Sequence, residues 1–94
     1  MTDEQRAICL RAINHFGPKH QKGKLIEELA ELTVEITREQ DGRTDKAKIR
    51  EELADVIIMC EQMRIIFGAA DVDAEIARKL ERLKNMISGG TGNG

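Results

Sequence analysis

Apolar residues recur along this chain at helical spacing, and glycine and proline divide them into four segments. The first opens on Thr2, with Asp3 and Glu4 behind it and Gln5 at the third helical position, the pattern of a capping box. Its helix is predicted to run to about His15, where Gly17-Pro18 stops it. A second helix starts between Pro18 and Lys24 and ends near Gln40, before Asp41-Gly42. Within it Leu25, Leu29, Leu32 and Ile36 fall at i, i+4, i+7 and i+11, one apolar stripe. A third helix, capped by Thr44 or Asp45 and ending before Gly68, carries the matching stripe Ile49, Leu53, Val56, Cys60, Met63 and Phe67. A fourth, capped by Asp71 or Asp73, runs to about Ile87 with the stripe Ile76, Leu80, Leu83 and Ile87. No segment alternates with the period of a half-buried strand, so the expected fold class is all-α. The two long middle helices form an antiparallel helical hairpin with the two shorter helices flanking it. One helical domain should span residues 1–88, and the Gly-rich tail, residues 89–94, has no apolar anchor and is expected to be disordered.

Composition narrows this picture. At 94 residues the chain is one domain with a modest core, so association with further copies is a natural way to bury more surface. Aromatic residues are Phe16 and Phe67 alone, so the core is aliphatic, and Met59, Met63 and Phe67 belong to core or subunit interface. Cys9 and Cys60 lie far apart in apolar surroundings and form no C-x-x-C pair, which points to reduced core residues and away from a thiolate zinc site. The net charge of −2, with no basic run and no aromatic platform, gives no case for binding a nucleic acid polymer. No apolar stretch is long enough to span a bilayer, and the polar N-terminus does not read as a secretory signal. A cytoplasmic location is expected.

Chemistry enters with a near-repeat. KLIEELAEL (Lys24–Leu32) and KIREELADV (Lys48–Val56) share the order lysine, aliphatic, any residue, Glu, Glu, Leu, Ala, acid, aliphatic. On a helical wheel Glu28 sits about 70° from the centre of its stripe, with Glu31 one turn on along the same side. Glu52 and Asp55 stand in the same relation to the next stripe. In an antiparallel hairpin the Glu28/Glu31 pair can face the Glu52/Asp55 pair, and four gathered carboxylates repel unless a counter-charge joins them. Oxygen-only ligands suit a hard cation, Mg²⁺ or Mn²⁺. A di-iron bundle would want Glu-x-x-His on two helices, and His15 and His20 lie outside both motifs. The plainer alternative is two solvated acidic faces, with Lys24–Glu28 and Lys48–Glu52 as i, i+4 pairs. Spacing alone leaves both open.

The acidic pattern also resembles a known family. E-E-x-x-E (Glu27, Glu28, Glu31), followed on the next helix by E-x-x-D (Glu52, Asp55), is similar to the signature of the MazG-like all-α nucleoside triphosphate pyrophosphohydrolases. AINHFGPKHQ upstream, with Phe16, Gly17 and Gln21, resembles the segment that precedes the family's first acidic helix. EELADVIIMCEQMRIIFG resembles its second acidic helix, and KLERL, with Lys79 and Arg82, its C-terminal basic element. The similarity covers about residues 5–87. It implies a four-helix bundle of the all-α NTP pyrophosphatase type, assembled as a homodimer or homotetramer. It implies Mg²⁺, with Mn²⁺ as a substitute, held by Glu28, Glu31, Glu52 and Asp55. It implies water attack on the α-phosphorus of a nucleoside triphosphate, giving a monophosphate and pyrophosphate. Lys79 and Arg82 would contact phosphates, and Gln21 and Phe16 the rest of the substrate. The rival expectation is a helical interaction module that keeps the fold without the chemistry.

Overall fold

A computed structural model describes residues 1–43 and 45–89. These form four helices and, among the described residues, no strand: α1 (Asp3–Phe16), α2 (Pro18–Gln40), α3 (Lys46–Phe67) and α4 (Ala69–Ile87). The all-α class and the helical hairpin are thus as expected. Residues 90–94, on which the expectation of a disordered tail falls, lie outside the described residues, as does Thr44.

Local chemistry sets the boundaries. Thr2 Oγ1 accepts from the Gln5 N–H at 3.1 Å and Gln5 Oε1 accepts from the Thr2 N–H at 2.9 Å, closing the capping box on α1. Gly17, at φ 91°, turns the chain directly into Pro18 at the start of α2, a position where proline loses no hydrogen bond. At the far end Gly42, at φ 73°, lets the Arg43 N–H reach the Arg38 carbonyl at 2.9 Å and its own N–H reach Glu39 at 2.9 Å, a Schellman ending. Of the two expected caps for α3, Asp45 takes the role, accepting from the Ala47 N–H at 2.9 Å.

The start of α4 differs from expectation. Neither Asp71 nor Asp73 caps it. The helix begins at Ala69 straight after Gly68, whose positive φ of 105° makes the turn without a side-chain cap. Asp73, inside the helix, instead forms a two-pronged pair with Arg64 of α3, both N···O distances being 2.7 Å. Arg64 also reaches Glu61 at 2.9 Å, and Glu61 forms an ion pair with Arg6 of α1 at 3.2 Å. One chain of charges therefore ties α1, α3 and α4 at a single end of the molecule.

α2 and α3 pack antiparallel along their lengths, and α1 lies against both. The buried apolar residues are Cys9 and Ile13 of α1 with Val56 and Met59 of α3. Cys9 is core as expected, and burial raises its thiol pKa. Cys60, also expected in the core, is exposed, because α3 turns Val56 and Met59 inward and Cys60 outward; both cysteines are free thiols. Met63 is half-buried, while Phe67 is exposed with the Lys22 ammonium 5.0 Å over its ring. Among the described helices α4 contacts α3 alone, and it buries no residue. Among the described residues no helix is long and apolar enough to cross a membrane.

The seam between α2 and α3 corrects the stripe reading. The buried residues of α2 are Gln21, Glu28 and Glu35, spaced by seven on one line, and not the leucines. Leu25 and Leu32 are half-buried, and Leu29 and Ile36 exposed. Opposite, α3 buries Glu52, Val56, Met59 and Gln62. Glu28 therefore lies in the seam itself rather than beside it, and the apolar residues flank it on the outside.

Candidate metal centre

The seam changes chemistry along its length. Near the open end of the hairpin Gln21 Nε2 donates to Gln62 Oε1 at 2.7 Å, both side chains buried, and Gln21 Oε1 lies 2.7 Å from His20 Nδ1. Midway, carboxylate oxygens of Glu28, Glu31 and Glu52 come within 4.8 Å of one another. Nearer the turn, Glu35 is buried against Arg38 at 3.2 Å, and shares a shallow groove with Glu31, Val34, Lys48 and Glu52.

Glu28 and Glu52 are the buried members of the acidic trio, 6% and 4% exposed. Each gives one oxygen to the lysine four residues before it: Lys24 Nζ to Glu28 Oε1 at 3.3 Å, and Lys48 Nζ to Glu52 Oε1 at 2.9 Å. The other oxygen of each, Glu28 Oε2 and Glu52 Oε2, is buried with no hydrogen-bond partner among the described residues. Buried polar atoms in folded proteins are nearly always satisfied, and an unsatisfied carboxylate oxygen is among the most expensive exceptions. Two of them, one on each quasi-repeat and beside a third carboxylate, are the feature of this chain that a cation would complete.

Protonation follows the crowding. Contact with Glu52, through hydrogen bonding first and charge second, raises Glu31 above the ordinary glutamate range, with the Glu28 charge adding to the effect. Glu52 itself is held low, first by its bond to Lys48. Lys24 and Lys48 are both held above the ordinary lysine range, by Glu28 and Glu52 respectively. Three carboxylates on two helices are a group that could hold a hard divalent cation.

Of the expected ligands, the structure gathers Glu28, Glu31 and Glu52. Asp55 is half-buried one turn beyond Glu52 and stands outside the trio. Glu27 is exposed, within 3.6 Å of Lys24. Glu35 is a buried acid that stripe analysis passed over; its signal was the spacing of seven from Glu28 and four from Glu31, which places it on the same ridge.

The expected substrate contacts divide. Phe16 is exposed, stacks on His20 at 5.3 Å between ring centres and meets His15 edge-on at 4.6 Å. With Lys19, His20, Gly23, Lys24 and Glu27 it lines an open groove. His20, Lys24 and Glu28 follow at successive turns of α2, so this groove and the acidic trio are consecutive along one ridge. Gln21 has its amide committed to Gln62 and His20. Lys79 and Arg82 lie on α4, which makes no contact with α2. Glu75 and Glu81 pair with Arg78 and Lys84, so Lys79 and Arg82 have no ion-pair partner among the described residues.

Set against known proteins, the chain matches no protein-family profile, no curated protein and no solved structure.

Proposed function

We propose that this chain is a Mg²⁺-dependent nucleoside triphosphate pyrophosphohydrolase. It joins water to a nucleoside triphosphate at the α-phosphorus and releases a nucleoside monophosphate and pyrophosphate. The observation that carries this reading is the pair of buried, unpartnered oxygens, Glu28 Oε2 and Glu52 Oε2, on two carboxylates that gather with Glu31. The resemblance of Glu27–Glu31 and Glu52–Asp55 to the MazG-like signature supports the choice of reaction. Glu28, Glu31 and Glu52 would hold the ion, with Asp55 next along α3; Mn²⁺ should substitute. Once bound, Mg²⁺ would neutralise phosphate charge and acidify a water. The chain's own contribution is position: two helices hold the carboxylates fixed, and the Phe16–His20 stack further along the same ridge offers a flat apolar face to a base.

Pyrophosphate release from a panel of nucleoside triphosphates with Mg²⁺ tests this. Turnover of at least one nucleotide, lost in Glu52→Gln, is the expected result. No release from any nucleotide would leave the interaction module as the better reading.

We infer in addition that the working form is a homodimer. A folded monomer of this mass should expose about 5,500 Å², whereas the chain exposes 7040 Å². The excess, on the order of 1,000 Å² or more, is what one partner gives up in a stable interface. The radius of gyration, 16.2 Å, likewise exceeds the roughly 12 Å of a compact chain of this length. Ile76, Leu80, Leu83 and Ile87 of α4 are all exposed and make the natural contact for a second copy. Lys79 and Arg82, as phosphate contacts, require α4 to be presented by that second copy.

A further inference from the structure

Lys24 and Lys48 occupy equivalent places in the two halves of the near-repeat, and each does the same thing. Each ammonium takes one oxygen of a buried glutamate four residues on and leaves the other oxygen without a partner. Each lysine is about half exposed, at 48% and 46%, while its glutamate side chain is 7% and 5% exposed. The ammonium groups therefore sit at the rim of the site and the carboxylates at its floor. Their four-carbon stems can swing without moving a helix.

The charges count in a telling way. With Glu27 3.6 Å from Lys24, four carboxylates face two ammonium groups and leave the site two net negative charges. A divalent cation on the floor cancels that charge and weakens the hold of the carboxylates on the lysines. A site that attracts cations when empty no longer repels anions when filled, with two ammonium groups on flexible stems already at its edge. The two lysines also face different neighbours: Lys24 lines the groove of Phe16 and His20, and Lys48 the groove of Glu31 and Glu35. An extended polyanion lying over the trio would meet one lysine on each side.

We propose that Lys24 and Lys48 are exchangeable counter-ions: they neutralise Glu28 and Glu52 while the cation is absent, and turn outward to grip a phosphate chain when it binds. This rests on the cation site proposed above and assigns the phosphate grip to residues of the same chain. Inorganic tripolyphosphate is the probe, because it has the phosphate chain and no base.

Calorimetry on the full chain separates the possibilities. Metal-free tripolyphosphate is titrated into the metal-free chain, tripolyphosphate in excess Mn²⁺ into the Mn²⁺-loaded chain, and Mn²⁺ alone into each variant, with helicity checked by circular dichroism. In the wild type Mn²⁺ should tighten tripolyphosphate binding about tenfold or more. Lys24→Met with Lys48→Met should bind Mn²⁺ as tightly as the wild type or tighter, since a competitor is gone, yet lose about tenfold in Mn²⁺-dependent tripolyphosphate affinity for each lysine removed. The single variants give the same reading should the double variant lose helicity. Variants that bind Mn²⁺ normally and tripolyphosphate unchanged would overturn the exchange while leaving the cation site standing. Variants with weakened Mn²⁺ binding would show the lysines to be supports of the site, also overturning it. A wild-type chain that binds no Mn²⁺ would remove both proposals together.

Discussion

The α2–α3 seam and helix α4 invert the usual relation between polarity and burial. The seam buries two glutamines and three glutamates, of which Glu28 and Glu52 each keep an oxygen without a partner. α4 has a clean apolar stripe and buries nothing. The hydrophobic effect alone would put the stripe inside and the acids outside. The difference teaches that a stripe shows which face is apolar and not what covers it. It also teaches that a buried carboxylate marks where a partner of opposite charge belongs. The two regions differ in what they leave unmatched: the seam keeps two carboxylate oxygens without a partner among the described residues, and α4 keeps its apolar stripe exposed.

The largest expected effect breaks the seam side of the comparison. Glu52→Gln should lower pyrophosphate release about a hundredfold or more, as loss of a group acting on the reacting charge does. The same change removes a carboxylate that Lys48 holds low, so the metal-free variant should melt slightly below the wild type at neutral pH. In the wild type, Mg²⁺ at ten times its Kd should add about 1.4 kcal/mol, a rise of several degrees in Tm that a chelator reverses. A variant that melts far below the wild type without metal would make the seam a structural ion-pair network instead.

The α4 side breaks next. Leu80→Lys should weaken self-association about a hundredfold or more, because a symmetric dimer loses the apolar contact twice, at about 2 kcal/mol each. Sedimentation equilibrium should show the wild type as a dimer at micromolar concentration and the variant as a monomer of unchanged helicity. A wild-type monomer would leave the exposed stripe unexplained by self-association.

Much of this was legible beforehand. Thr2 with Gln5, Gly17-Pro18 and Asp41-Gly42 set helix ends by local chemistry that needs no tertiary partner, and those ends fell close to expectation. Three of the four acids expected to gather do so, because their register follows from the near-repeat and the antiparallel hairpin. What was not legible depends on tertiary choice. Whether Gly68 or an aspartate starts α4 was decided by Arg64 claiming Asp73. Which face of α2 meets α3 was decided by Gln62 opposite Gln21, and by Lys24 and Arg38 bridging back to Glu28 and Glu35. Those partners let a polar line outcompete a leucine stripe, and no stripe count contains them.

Gln21 and Gln62 sharpen the comparison by burying polarity without charge. Gln62→Leu strands the Gln21 amide and should cost about 1–3 kcal/mol. Gln21→Leu with Gln62→Leu should recover most of that loss, since replacing both partners by apolar groups is close to neutral. Chemical denaturation of the two single variants and the double reads the coupling. Strict additivity of the two losses would mean that the 2.7 Å bond contributes nothing of its own.

The smallest effect sits at the elbow that joins the two regions. Asp73 is held below the ordinary aspartate value of 3.8 by its bond to Arg64, whose own pKa is raised in turn. A depressed carboxylate binds fewer protons folded than unfolded, so its contribution to stability is present above that value and lost as pH falls through the lower, folded one. Asp73→Asn should therefore lower Tm at neutral pH by a few degrees at most, the pair being open to solvent. The gap between variant and wild type should close as pH drops below 3.8. α4 meets the rest of the chain only along α3, so the same variant should also loosen α4 against the hairpin while leaving Mg²⁺ affinity at the trio unchanged. A gap that persists at low pH would assign the stability to packing at the elbow rather than to the Arg64–Asp73 charge.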